Sequence, residues 1–78
     1  MKTIIGIKLD DRLDSAVEFQ KILSEFGCSI RTRIGLHDTY VDYCTNFGII
    51  LLEVIDDTAE SLFAVLNDKW ECKKMTFD

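Results

Sequence analysis

The stretch FGIILLEVI, Phe47–Ile55, is apolar at both parities of an extended chain. Side chains alternate across a strand with a period of two. Ile50, Leu52 and Val54 therefore face one way, and Ile49, Leu51 and Glu53 the other. A strand that is apolar on both faces needs cover on both. The whole chain has 78 residues, the size of one small domain, and such a domain buries only about 60% of the surface its unfolded chain exposes. The question is what covers each side.

The remaining pattern supplies one cover. Thr3–Leu9 is short, β-branched and bounded by Asp10-Asp11, which predicts a strand. Asp10 or Asp11 can cap a following helix, with Asp14 favourable in its first turn. Ala16, Phe19, Leu23 and Phe26, with Ile22 beside them, recur at helical spacing. The helix is expected over Arg12–Phe26, ended by Gly27 as a left-handed cap. Cys28–Leu36 alternates, with Ile30, Thr32, Ile34 and Leu36 on one face and Ser29, Arg31, Arg33 and Gly35 on the other: a half-buried strand. After Phe47–Ile55, Asp57 followed by Glu60 fits a capping box, and Ala59, Leu62, Phe63 and Leu66 make a one-faced helix that breaks at Asn67-Asp68. Trp70–Phe77 is the last strand, with Trp70 and Cys72 on one side and Met75 and Phe77 on the other.

The order β-α-β-β-α-β predicts an α+β, ferredoxin-like fold over residues 1–78 as a single domain. Its four-stranded antiparallel sheet carries both helices on one face. The other face meets water or another molecule. Ile4, Ile49, Leu51, Met75 and Phe77 fall on that side. Soluble monomers seldom expose such a patch, so a homo-oligomer formed through the open sheet face is expected.

Composition narrows the function classes. A net charge of −5 argues against direct DNA binding by this chain. Cys28, Cys44 and Cys72 are odd in number and scattered, which fits neither a disulfide framework nor a zinc ribbon. The N-terminal run is broken by Lys8 and is too short for a signal peptide or a membrane span, so a reduced, cytoplasmic protein without membrane contact is expected. No CxxC follows the first strand, no four cysteines cluster for iron and sulfur, and Gly6, Gly27, Gly35 and Gly48 are isolated. Cys44 and His37 could pair as nucleophile and base, but no third group orients them. The expectation is a non-enzymatic protein without a cofactor.

The segment HDTYVDYCTNF, His37–Phe47, holds the only histidine. His37 and Cys44, with Asp38 and Asp42, are weak candidate ligands for nickel or zinc across a hairpin. Thr39, Tyr40, Val41 and Tyr43 favour strand instead, and a long β-arm is the expected form. Arg33, Gly35 and His37 are the candidate ligand-binding residues. Glycine lets a ligand come close to the backbone, and the arginine can fork onto a carboxylate.

Three stretches together resemble a known family. They are IIGIKLDDR at Ile4–Arg12, ILSEFGCSIRTRIGL at Ile22–Leu36 with its Arg33-Ile34-Gly35-Leu36 run, and FGIILLEVIDDTAESLFAVLNDKW at Phe47–Trp70. Together they are similar to the iron-only hydrogenase system regulators, a family of proposed transcriptional regulators. The family is ACT-like in fold and related to the effector domain of nickel-responsive regulators. The resemblance spans almost the whole chain. It departs at His37, where the family usually has Pro and a shorter turn, and at Trp70-Glu71-Cys72. It implies a regulatory role in transcription or hydrogenase maturation, through a small-molecule or protein partner. One ferredoxin-like unit fills these residues and leaves no room for a helix-turn-helix, so any effect on transcription is expected to need a partner or an indirect route. Two alternatives stand beside this reading: a metal-responsive domain for nickel or zinc, and a purely structural homo-oligomerisation module.

Overall fold

A computed structural model of the chain describes residues 2–9, 15–36 and 48–78; the side chains of Ser15, Ala16 and Leu36 are not among them. The elements are β1 (Lys2–Leu9), α1 (Ser15–Glu25), β2 (Ile30–Leu36), β3 (Gly48–Val54), α2 (Ala59–Asn67) and β4 (Glu71–Phe77). The four strands form one sheet in the order β2-β3-β1-β4, and every neighbouring pair is antiparallel. This is the ferredoxin-like α+β fold. The doubly apolar β3 lies inside the sheet, between β2 and β1.

Both helices cover one face. Ile5, Ile7, Leu9, Leu52, Val54 and Cys72 project from the sheet into the same core as Phe19, Ile22 and Leu23 of α1 and Ala59, Leu62 and Leu66 of α2. Trp70 joins them, its ring edge-on to Phe19 at 5.6 Å between centroids. Full burial of each large apolar side chain contributes about 1.5–3 kcal/mol. The polar groups that share the core are partnered. Thr3 meets Thr76 Oγ1 at 3.2 Å, and among the described residues no buried side-chain N or O lacks a partner. Lys74 fixes β4 to α2, donating to Glu60 at 2.7 Å and lying 4.6 Å over the Phe63 ring.

Local endings differ from the sequence expectation in three places. Gly27 does not end α1 in a left-handed turn: it starts a 3-10 turn, Gly27–Ser29, and β2 begins only at Ile30. Asp57 is not the cap of α2. The N-cap residue is Thr58, and Asp56 holds the turn through Oδ1, which accepts from the Thr58 amide and hydroxyl. The other Asp56 oxygen accepts from Ser29 Oγ at 2.9 Å, tying the 3-10 turn to the start of α2. The expected caps at Asp10 and Asp11 and the helix start at Arg12 lie outside the described residues.

The third difference matters most. Ile30 pairs with Val54, but Thr32 pairs with Glu53, so a β-bulge takes up Arg31. A bulge adds one residue to one strand, and one residue of slip exchanges the faces of all that follows. Ile30 packs on the core, whereas Thr32 and Ile34 turn to the opposite face. The expected common face for Ile30, Thr32, Ile34 and Leu36 is therefore split. Gly35 pairs regularly with Ile50.

Candidate functional site

The face of the sheet away from the helices is built by register. Thr32, Glu53, Ile4 and Met75 form one row across the four strands, and Ile34, Leu51, Gly6 and Lys73 form the next. Ile49, Lys8 and Glu71 continue from the second row, and Lys2 with Phe77 adjoins the first. All five residues expected on this face, Ile4, Ile49, Leu51, Met75 and Phe77, lie there. Met75 and Phe77 are more than half exposed and Ile49 is exposed. Gly6 leaves a shallow place at the centre of the face, and a Cβ there would meet Leu51 at an ordinary 3.5 Å.

Ile34 is the member that sequence reasoning missed. It is 48% exposed and sits opposite Leu51. No residue in Ile30–Leu36 announces the bulge; it is set by the pairing of Ser29 and Ile30 with the end of β3, where Ile55 N donates to Ser29 O at 3.1 Å. The bulge extends the apolar surface from β4 across to β2.

Besides Lys8, Lys73 and Glu71, one hydrogen-bonded polar cluster lies in this surface. Glu53 accepts from Lys2 Nζ at 2.8 Å and from Thr32 Oγ1 at 2.7 Å. The Lys2 ammonium, then the Thr32 hydroxyl, hold the Glu53 carboxyl below its ordinary range. The Glu53 side chain is only 17% exposed, against 51% for Lys2.

The residues singled out for ligand binding are placed elsewhere. Arg33 and Gly35 pair with Leu52 and Ile50 and so belong to the helix side of β2. Arg33 lies 5.5 Å over the Phe19 ring and donates to Gln20 Oε1. His37 and Cys44 lie outside the described residues. Among the described residues no three His, Cys, Asp or Glu side chains are grouped to hold a metal ion. Cys28 is exposed and Cys72 buried, both as free thiols. No helix among the described residues is long and apolar enough to cross a membrane.

No family model and no curated protein matches the chain. Among solved structures, the chain is similar to the uncharacterized protein TM1266 from Thermotoga maritima, with a TM-score of 0.77 at 22% identity. The likeness covers 99% of this chain and 96% of that one. At that identity it shows the fold: a ferredoxin-like sandwich of the same extent.

Proposed function

We propose that this chain is a non-enzymatic regulatory module that acts by association through the open face of its sheet. The observation that carries this reading is the run of exposed apolar side chains, Ile34, Ile49, Met75 and Phe77, on one face shared by β2, β3, β1 and β4. Scattered apolar residues are ordinary on a protein surface, but several large ones drawn from neighbouring strands onto one sheet face favour a contact surface. The occupant is a second copy of the chain. The resemblance to iron-only hydrogenase system regulators supports placing such a module in transcription regulation or hydrogenase maturation. A ligand or protein partner would regulate it by binding one association state better than the other. The acidic balance of the chain, −5, supports an indirect route to any effect on DNA.

The test is Leu51→Lys, which puts a charge at the middle of the face without entering the core. Sedimentation equilibrium on the wild type should give an oligomer, and the variant a folded monomer. A wild type that stays monomeric at high micromolar concentration would remove the proposal.

A further inference from the structure

The polar cluster in the apolar face has a geometry that bears on which partner fits. Glu53 lies next along this face of β3 from Leu51, beside Ile4 on β1 and Thr32 on β2. Its carboxylate already has two donors, Lys2 and Thr32, and most of its side chain is out of water. We infer that the Lys2–Glu53–Thr32 cluster is the register-fixing element of a contact between two copies of this chain; this rests on the association reading above. A covered ion pair adds little net affinity when complete, but either charge left alone under cover is strongly unfavourable. A partner must therefore seat over the pair and leave it intact, which selects one arrangement among the many that apolar contact alone would allow.

Charge identifies the second copy as the occupant. The described face and its edge carry four cations, Lys2, Lys8, Lys73 and Arg31, against three carboxylates, Glu53, Glu71 and Asp78, so charges of both signs stand nearly balanced there on a chain of −5. Two like-charged copies repel over most of their surface, and this face is one through which they can approach. Lys8, Lys73 and Glu71 take no ion pair among the described residues. A two-fold contact presents the same patch from both sides, so free charges of both signs on one face let the surface complement itself.

The experiment is a double-mutant cycle on the full chain, with association constants from sedimentation and folding checked by circular dichroism. Glu53→Gln keeps shape and the Thr32 contact but strands the Lys2 charge; Lys2→Met leaves Glu53 without its ion-pair partner, with only the Thr32 hydroxyl and the weaker pull of Arg31. Each single change should weaken association at least about tenfold, and the double change should return it to within about threefold of wild type. If Lys2→Met fails to fold, Glu53→Gln alone must still show the tenfold loss. Single changes within twofold of wild type, or a double variant as weak as the worse single, overturn the inference while leaving the association intact. A monomeric wild type overturns both.

Discussion

Replacing Ile34 by Ala tests the bulge that assembles the open face. Ile34 is 48% exposed in the folded chain, whereas Leu52, on the adjacent strand, is 0% exposed. Full burial of such a side chain is worth about 1.5–3 kcal/mol, so a half-exposed isoleucine loses about 1 kcal/mol on truncation and leaves no cavity. Leu52→Ala loses the transfer term and opens a cavity in the core, for about 2–5 kcal/mol. Without the bulge, Ile34 would share the face of Ile30 and Leu52, and its truncation would cost as much as that of Leu52. Urea unfolding reports the difference. Trp70, the only tryptophan, is buried against Phe19 and supplies the fluorescence signal. For a slope near the small-protein value of about 1 kcal/mol/M, the midpoint should fall by about 1 M for Ile34→Ala and by at least twice that for Leu52→Ala. Agreement at two protein concentrations separates folding from association. Equal losses at the two positions would refute the bulged register.

Acid should destabilise the fold in a defined window. Glu53 and Asp56 are both held below their ordinary values of 4.5 and 3.8, Glu53 first by Lys2, Asp56 first by the Thr58 hydroxyl and amide and then by Ser29. A depressed carboxyl contributes stability that is present above its ordinary value and is lost as pH falls through the folded one. Thermal melts should therefore hold above about pH 5 and decline below it, with a shallower decline in Glu53→Gln and Asp56→Asn; a flat profile down to pH 3 would contradict the assigned partners. For the thiols, burial pushes Cys72 up, and its Sγ donates to Trp70 O at 3.5 Å, while Cys28 is exposed. In a Cys44→Ser background, alkylation of native protein followed by mass spectrometry should modify Cys28 and reach Cys72 only after urea is added; native labelling of Cys72 would show the core packing to be wrong.

The order of elements was legible because each carries its own period. Phe19, Ile22 and Leu23 announce α1, and β3 shows its two apolar parities directly. The same parities showed that Ile49 and Leu51 remain after the core is filled. What was not legible depends on pairing between segments distant in sequence. Ile30–Leu36 alternates without a break, yet the bulge at Arg31 divides it, because Ile30 must meet Val54 while Thr32 meets Glu53. Asp56 and Asp57 are alike by type, yet Asp56 is the one that holds the turn before Thr58, and its other oxygen meets Ser29, which the fold brings within 2.9 Å. Arg33 has the chemistry of a carboxylate ligand, but β2 carries it to the helix side, where Phe19 and Gln20 engage it.

The central claim is that the open sheet face, and not the helix layer, is where this chain meets its partner. Amide chemical shifts followed through a dilution series test it most directly. The account predicts concentration-dependent shifts or broadening at Ile4, Ile34, Ile49, Leu51, Met75 and Phe77, with Val17 of α1 and Val65 of α2, both exposed on the helices, left unmoved. Spectra that do not change with concentration, or changes confined to the helices, would contradict it.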